Sequence, residues 1–312
     1  MYSLERYSGS LLGLAIGDAL GATLECQSPG SFVPLTDLIG GGIFGLKPGQ
    51  WTDETSMALC LTESLIERRE FDPIDQLARY CRWYREGYLS SNGKCFEIGM
   101  TVRTALERFE HHQEPYCGST EFFSAGSGSL IRLAPVALFY APIPQQAIEK
   151  SGQSSLTTHG VQVAVDACRY LGALLVGAVS GVNKQTLLSE HYSPAIGYWE
   201  KHPLVTEIDE IARGSFKNKQ PPDICGAGYV VDCLEAALWA FYNSDNFEEG
   251  ALKAVNLGDY ADATGAVYGQ LAGAFYGEVN LPEHWLDKLS KRYLITSYAV
   301  QLARLSQKIA VL

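Results

Sequence analysis

Residues 258–277 read GDYADATGAVYGQLAGAFYG, with a glycine at every fourth position from Gly265 to Gly277. Each glycine costs a helix about 1 kcal/mol relative to alanine, so a ridge of them needs a reason. We interpret the ridge as close backbone packing of a central helix against a neighbouring element. The acidic residues Asp259 and Asp262 precede the ridge and lie where this helix begins.

Helical periodicity continues through most of the chain. Apolar residues between Val230 and Phe241 recur at intervals of three and four, which places them on one helix face. A similar pattern ends at Leu65, and Thr52 or Asp53 is expected to cap that helix. Further helices are predicted at roughly 4–22, 73–87, 97–110, 129–140, 159–180, 205–213, 247–257, 264–277 and 290–307. Sustained alternation of β-branched residues is missing, so the sequence predicts an all-α fold without a sheet.

The composition of the 312 residues, 46% hydrophobic and 19% charged, is that of a globular protein with a sizeable core. No long linker or shift in composition divides the chain, which predicts a single domain over residues 1–312. The formal net charge of −11 argues against general nucleic-acid binding, because few cations are available to neutralise phosphates. A nucleotide-sized ligand held by backbone amides remains compatible with this charge.

Eight cysteines show no CxxC pair and no Cys/His metal spacing, and four of them lie in apolar helical patterns. We interpret them as reduced, small core residues of a cytoplasmic protein. The first residues lack the basic and apolar regions of a signal peptide. The apolar run from Leu171 to Val179 is too short to span a bilayer, so no membrane partner is expected.

Two acidic clusters stand at predicted helix starts, far apart in sequence. One is Trp51-Thr52-Asp53-Glu54-Thr55, and the other is the segment 258–264. Carboxylates with a threonine hydroxyl are hard oxygen ligands suited to Mg²⁺ or Mn²⁺. Each cluster alone is more simply explained as a helix cap, and spacing does not show that the two meet.

Three other features carry candidate chemistry. Asp18 and Glu25 flank a glycine break beside a long Gly-rich loop. A carboxylate in this position is either a mobile catalytic acid or base, or a solvated residue at the end of the first helix. The small residues of 124–129 can offer backbone N–H groups to a diphosphate, although no Walker A loop is present. His159 is either a donor to a sugar hydroxyl or a histidine satisfied within the core.

Taken together and in this order, the motifs resemble the ADP-ribosylglycohydrolase family over about residues 11–285. The most specific stretches are Gly13–Gly21, Trp51–Leu59, Thr157–Gly160 with Ala167–Tyr170, and Gly265–Gly273. The resemblance implies a compact all-α bundle with a central cleft that binds ADP-ribose above a pair of Mg²⁺ or Mn²⁺ ions. It further implies hydrolysis of the bond between the distal ribose and an acceptor such as arginine or serine.

The resemblance also assigns residues. The implied metal ligands are Thr52, Asp53, Glu54 and Asp262, and the implied catalytic residues are Asp53 and the loop glutamate Glu25. The residues expected to contact ligand are Gly126, Ser127, Gly128, Ser129, His159 and Tyr260. Carboxylates and an activated water suit the positive charge that develops at the anomeric carbon.

The departures from the family pattern concentrate where ligand and metals are expected. Glu54 replaces an aspartate and keeps a carboxylate, but Tyr260 and Ala263 stand where an aspartate and a threonine ligand are expected. A phenol is a poor Mg²⁺ ligand and alanine offers no oxygen, so we predict one metal position rather than two. Three further positions depart from the family pattern. Ser127 and Met100 each stand where the pattern has asparagine, and Glu97 stands where it has aspartate.

Two hypotheses from different classes follow. The first is a divergent hydrolase that acts on an ADP-ribosyl or related ribosyl bond with one metal ion or none. The alternative is a non-catalytic protein that binds ADP-ribose, a nucleotide or a partner protein as a sensor or regulator. Tyr260 bears on both, because its ring could stack on a sugar or a base.

Overall fold

The computed structural model describes residues 3–309, and no β-strand occurs within that range. The described residues form fifteen α-helices. They are α1 Leu4–Gly21, α2 Asp53–Arg68, α3 Pro73–Glu86, α4 Met100–His112, α5 Ala134–Phe139, α6 Pro144–Leu156, α7 Gln162–Val179, α8 Lys184–Leu187, α9 Tyr198–Lys201, α10 Thr206–Ala212, α11 Val230–Tyr242, α12 Phe247–Val255, α13 Ala261–Tyr276, α14 Glu283–Leu286 and α15 Arg292–Ile309. The all-α prediction is confirmed.

The glycine ridge of α13 packs against a matching ridge on α1. A Cβ atom added at Gly269 would lie 2.0 Å from the Gly13 carbonyl oxygen, and one added at Gly13 would lie 2.3 Å from that of Gly269. Gly17 meets Gly265 and Gly9 meets Gly273 in the same way, so the two helices run antiparallel. The end of α1 therefore lies beside the start of α13, which brings two candidate motifs together.

The helix α7 lies in the interior and packs against α6, α11 and α13. By length and composition alone it could cross a membrane, since its mean hydropathy is 1.4, but 89% of it is buried inside the fold. A core helix passes the same test, so this is weak support for a membrane span. The apolar run Leu171–Val179, which the sequence analysis found too short to span a bilayer, is the second half of this helix.

The helix α6 has no counterpart among the predicted elements. The residues it buries are mostly small, among them Ala147, Ser151, Gly152 and Ser155, so they give no apolar periodicity. Their size allows close packing on α7, where a Cβ added at Gly172 would lie 2.3 Å from the Ser151 hydroxyl. A helix that packs through small and polar residues leaves little signal in a hydrophobicity pattern.

All eight cysteines are free thiols, which agrees with the predicted absence of disulfides. Cys60, Cys117, Cys168 and Cys233 are buried core residues. The core interpretation is wrong for Cys26, which is exposed. It lies in the loop that follows α1, where the chain turns away from the interior.

Candidate functional site

A cleft of about 370 Å³ opens where the starts of α2 and α13 face the segments 97–102 and 126–131. Nine of the predicted site residues line it: Glu25, Asp53, Glu54, Gly126, Ser127, Gly128, His159, Tyr260 and Asp262. The structure therefore brings together motifs that lie more than 200 positions apart in the chain. Thr52 and Ser129 lie behind this surface, within the protein.

Asp18, near the end of α1, lies against the start of α2. Asp18 is fully buried, and its Oδ1 accepts hydrogen bonds from the backbone N–H and hydroxyl of Thr52, both at 2.9 Å. Its Oδ2 accepts from the N–H of Thr55 at 3.0 Å and from the hydroxyl at 2.6 Å. Both interpretations of Asp18, a mobile acid or base and a solvated helix end, are wrong, because it is a fixed structural acceptor.

This arrangement also corrects the predicted cap of α2. Thr52 occupies the N-cap position, but its side chain makes no capping hydrogen bond. The carboxylate of Asp18 does so instead, and it satisfies N–H groups that a helix start leaves without partners. The cap therefore comes from a different helix, which the local sequence around residue 52 does not reveal.

The Thr52 hydroxyl lies within hydrogen-bonding distance of two carboxyl groups, those of Asp18 and Glu54. A hydroxyl has one proton and so donates to one of them at a time. Burial and the charges of Asp262 and Asp53 raise the pKa of Glu54 well above its ordinary value. The raised pKa favours a protonated Glu54, whose O–H can donate to the Thr52 oxygen while the Thr52 hydroxyl donates to Asp18.

Three carboxylates converge on one point of the cleft. One oxygen each from Glu25, Glu97 and Asp262 lie within 4.8 Å of one another. Among the described residues, Oε2 of Glu25, Oε2 of Glu97 and Oδ2 of Asp262 are buried without a hydrogen-bond partner. Because buried polar atoms are normally satisfied, this set of hard oxygen atoms fits a divalent cation.

The electrostatics of the cleft agree with that fit. Burial raises the pKa of Glu25 to about 7, and burial with the negative charge of Asp53 raises the pKa of Glu97 to about 12. Burial and the Glu25 charge raise the pKa of Asp262 as well. Without a cation this group holds protons at neutral pH, and a bound cation would displace them.

The segment that carries Glu25 is tied to the start of α13. The backbone N–H of Cys26 donates to the carbonyl oxygen of Asp259 at 2.7 Å, and the N–H of Asp259 donates to that of Gln27 at 2.7 Å. Asp259 adopts a left-handed conformation with φ of 51°, and its side chain is not part of the cleft lining. Asp259 is therefore placed outside the acidic group of the cleft, although it directly precedes Tyr260.

The opposite wall of the cleft is largely backbone. Gly126 precedes a short 3₁₀ turn over Ser127–Ser129 and Gly128 lies within it, and the N–H of Ser127 donates to the carbonyl of Gly228 at 3.0 Å. A Cβ at Gly128 would lie 2.8 Å from Cε1 of His159, so a larger residue would push that ring. Glycine at this position leaves room for the imidazole beside the cleft.

Ser129 has its side chain turned toward the core. Its hydroxyl lies 2.8 Å from the hydroxyl of Ser155 and accepts from the thiol of Cys168 at 3.5 Å. Any contact between Ser129 and a ligand would have to use its backbone. The predicted role of Ser129 in binding stays a prediction.

His159 is both satisfied on one side and available on the other. Its Nδ1 lies 2.8 Å from the hydroxyl of Thr158, while the ring lines the cleft beside Gly126 and Gly128. Burial, with the nearby charge of Arg132, lowers the pKa of His159 to about 3, so the imidazole is neutral. His159 is thus satisfied at Nδ1, and its role as a donor to a sugar hydroxyl stays a prediction.

Tyr260 and Ala263 stand at the start of α13, where the family pattern has ligands. The Tyr260 ring packs on Gly228, since a Cβ at Gly228 would lie 2.8 Å from Cζ of the ring. The side chain remains 51% exposed and lines the cleft with Ala263. An aromatic surface thus occupies this rim of the cleft in place of oxygen ligands.

Sequence reasoning missed Glu97 as a member of the acidic group. Glu97 was visible only as a departure from the family pattern, and the sequence placed it at the start of a helix over 97–110, whereas α4 begins at Met100. The approach of Glu97 to Glu25 and Asp262 depends on the path of the loop before α4 over the cleft. Arg132 was missed for a related reason, because a buried arginine inside an apolar stretch shows no partner in the sequence.

Comparison with known proteins gives the family. The sequence matches the ADP-ribosylglycohydrolase family over residues 2–310. The chain belongs to this family. It is 42% identical to the ADP-ribosylarginine hydrolase Tri1 of Serratia proteamaculans, over 96% of this chain and 79% of that protein.

A more distant relative and a solved structure are also similar to this chain. The ADP-ribosyl-[dinitrogen reductase] glycohydrolase of Rhodospirillum rubrum is 29% identical over 92% of this chain and 91% of its own. A solved structure described as an ADP-ribosylglycohydrolase-related protein complex superposes with a TM-score of 0.85 and 42% identity, covering 97% of this chain and 98% of that one. These comparisons confirm the predicted family and the predicted helical fold. They also confirm the predicted function, hydrolysis of a glycosidic bond to an ADP-ribosyl group.

Proposed function

We propose that this protein hydrolyses the bond between the distal ribose of ADP-ribose and an arginine side chain of a modified protein. The observation that carries the proposal is that an acidic floor and a wall of glycine backbone with a neutral histidine face each other across one cleft. That cleft, at about 370 Å³, has the size of a small-molecule site. The free thiols support a reducing compartment, so we also propose the cytoplasm.

Two observations favour arginine as the acceptor. Relatives from Serratia proteamaculans and Pseudomonas putida, 42% and 41% identical to this chain, are both named ADP-ribosylarginine hydrolase. The floor of the cleft carries Glu25, Asp53, Glu54, Glu97 and Asp262. A guanidinium is a cation with several N–H donors, so these carboxyl oxygens are complementary to an arginine adduct and less so to a serine one.

The chemistry suits the groups that are present. As the bond from C1″ to the guanidino nitrogen breaks, positive charge develops on the ribose, and the carboxylates of Asp53 and Asp262 stabilise it. Each carboxylate of the acidic group offers one oxygen to a cation, so the other oxygen of Glu25 can take a proton from the water that bonds to C1″. That proton then goes to the departing guanidine, so the products are ADP-ribose and arginine.

We further propose that one divalent cation, Mg²⁺ or Mn²⁺, is held by Glu25, Glu97 and Asp262. The support is the set of unpartnered carboxylate oxygens described above. When bound, such an ion would bind ribose hydroxyls and lower the pKa of a water molecule. This set differs from Thr52, Asp53, Glu54 and Asp262, the residues that the family resemblance assigns, because the Thr52 hydroxyl already lies against Asp18 and Glu54.

The activity is tested on peptides that carry ADP-ribosyl-arginine or ADP-ribosyl-serine, with release of ADP-ribose as the readout. We expect hydrolysis of the arginine adduct and a loss of at least about 100-fold in rate for Asp53→Asn or Glu25→Gln. Asp259→Asn is the matched control, since Asp259 lies on the same turn as Tyr260 outside the cleft lining. ADP-ribose binding with no hydrolysis of either peptide would instead favour the sensor hypothesis.

The cation is tested by calorimetric titration of Mn²⁺ into metal-stripped protein. We expect one ion per chain, and we expect Glu97→Gln to weaken its binding at least tenfold while Asp259→Asn leaves it unchanged. If Glu97→Gln binds Mn²⁺ like the parent protein and Glu54→Gln does not, the ion belongs to the other ligand set.

A further inference from the structure

Arg132 is a fully buried cation next to the cleft wall. Its guanidinium donates to three neutral oxygen atoms: Gly128 O at 3.0 Å, Thr157 Oγ1 at 3.2 Å and Thr158 Oγ1 at 2.7 Å. It also lies over the ring of Tyr80, 4.7 Å from the centroid. Arg132 thus joins the glycine turn of the wall to the segment that carries His159.

The hydrogen bonds of Thr158 determine the tautomer of His159. A guanidinium donates and never accepts, so the bond from Arg132 uses a lone pair of the Thr158 hydroxyl. Among the described residues the Thr158 hydroxyl has no other acceptor for its proton, so it donates to Nδ1 of His159, which lies 2.8 Å away. A neutral imidazole has one acceptor and one donor nitrogen, so the ring proton is on Nε2.

The Nε2–H group faces the cleft. A Cβ placed at Gly126 would lie 3.6 Å from Nε2, and one at Gly128 would lie 3.2 Å from it. The backbone of His159 is fixed as well, because its N–H donates to Ser155 O at 2.7 Å and its carbonyl accepts from the Ser155 hydroxyl at 2.9 Å. The ring therefore presents a donor in a set direction.

We propose that Thr158, held by Arg132, is a positioning residue that keeps His159 as a hydrogen-bond donor to an oxygen acceptor of the bound ligand. This inference rests on the proposed function, since that ligand is the ADP-ribosyl group. With the other tautomer, a lone pair of Nε2 would face the same acceptor and repel it. Thr158 itself does not line the cleft and acts through the imidazole.

Thr158→Val tests the proposal, because valine keeps the shape of threonine and removes the hydroxyl. Thr157→Val is the matched control, since Thr157 also accepts from Arg132 but has its hydroxyl directed to Ser154 O, at 2.7 Å, rather than to His159. Thr158→Ser restores the hydroxyl and is expected to rescue. The chain has six histidines, so the ¹⁵N signals of His159 are assigned by their loss in His159→Gln.

The first measurement is the ¹⁵N spectrum of the histidine rings without ligand. We expect a neutral His159 with its proton on Nε2 and a hydrogen-bonded Nδ1 in the parent protein and in Thr158→Ser. In Thr158→Val we expect the Nδ1 signal to move to the position of a nitrogen without a hydrogen bond. A proton on Nδ1 in the parent protein would overturn the proposal, whatever the protein binds.

The second measurement is calorimetric binding of ADP-ribose. We expect Thr158→Val to raise Kd about tenfold, as for the loss of one hydrogen bond, and Thr157→Val and Thr158→Ser to change it less than about twofold. In a His159→Ala background, Thr158→Val should have no additional effect. An unchanged Kd in Thr158→Val would overturn the proposal, whereas failure of the parent protein to bind ADP-ribose would overturn the proposed function.

Discussion

Gly17 on α1 and Gly265 on α13 touch through their backbones. A Cβ at Gly17 would lie 1.9 Å from the carbonyl oxygen of Gly265, and a Cβ at Gly265 would lie 2.3 Å from that of Gly17. Neither oxygen belongs to a flexible side chain, so neither can move without moving its helix. This contact fixes the distance between the end of α1 and the start of α13, and with it the distance from the buried Asp18 to Asp262 in the cleft.

Gly17→Ala is therefore expected to lower the free energy of unfolding. Alanine favours a helix by about 1 kcal/mol over glycine, but the added methyl group forces the two helices apart, and overpacking typically costs about 1–3 kcal/mol. Urea denaturation followed by circular dichroism measures the net loss. Gly99→Ala is the control, because a Cβ there meets nothing within 4 Å, and we expect a change below about 1 kcal/mol. Equal stability of the two variants would contradict the close contact.

Thr55→Val is expected to destabilise the protein through the cap of α2. The Thr55 hydroxyl donates to the buried Oδ2 of Asp18 at 2.6 Å, and loss of a hydrogen bond to a buried carboxylate costs about 1.5–3 kcal/mol. The comparison is with Thr62→Val on the same helix, where the hydroxyl donates to Ala58 O. That bond is local to the helix, so its loss should cost less than about 1 kcal/mol. If both variants unfold at the same urea concentration, Asp18 is not the anchor inferred here.

The stability contributed by His159 is expected to decrease as the pH falls. The pKa of His159 is lowered to about 3 by burial and by the charge of Arg132, from an ordinary value of 6.5. Between these values the unfolded chain binds a proton that the folded chain does not, so the free energy of unfolding falls by about 1.4 kcal/mol per pH unit. The contribution is fully present above about pH 6.5.

The buried carboxyl groups with raised pKa values increase the free energy of unfolding as the pH falls. The contribution of His159 is therefore obtained by comparing the pH dependence of the parent protein with that of a variant without this histidine. We would measure urea denaturation at pH 7 and pH 4.5 for the parent protein and for His159→Gln. The parent protein should lose about 2–3 kcal/mol more than the variant over this interval. An identical pH dependence would mean that His159 is solvated or already protonated in the folded state.

The fold was predictable where helices carry apolar faces or unusual residues, and less so elsewhere. The ridge from Gly265 to Gly273 indicated a central helix, but its partner is α1, whose Gly9, Gly13 and Gly17 repeat at the same spacing. A glycine ridge on one helix does not identify the helix that packs against it. The matching four-residue spacing of the glycines in α1 was nevertheless a signal that could have been used. The helix α6 was missed because its buried face consists of small and polar residues.

The candidate site was predictable as a set of residues and not as an arrangement. Family motifs placed Glu25, Asp53 and Asp262 in one cleft, which the structure also does. The grouping of Glu97 with Glu25 and Asp262 depends on the path of a loop, and the local sequence does not encode that path. Similarly, the four hydrogen bonds to Asp18 require three-dimensional proximity of two helix ends that are 34 positions apart.

The last prediction concerns the metal position that Tyr260 and Ala263 replace. Both residues line the cleft beside Asp262, and neither offers a good ligand oxygen for Mg²⁺ or Mn²⁺. The double substitution Tyr260→Asp with Ala263→Thr adds a carboxylate and a hydroxyl there and removes the ring from Gly228. We expect it to bind one Mn²⁺ more than the parent protein, counted by electron paramagnetic resonance of free Mn²⁺.

The matched control is Tyr260→Asn with Ala263→Val, which has nearly the same shape but neither the charge nor the hydroxyl. It should bind the same number of ions as the parent protein, because it adds neither the negative charge nor the hydroxyl that the Asp/Thr variant supplies. An unchanged stoichiometry in the Asp/Thr variant would show that other parts of the cleft have changed too. Glu54 and Glu97 would be the first residues to revert to aspartate, since each places its carboxylate one methylene further into the cleft than the family pattern does.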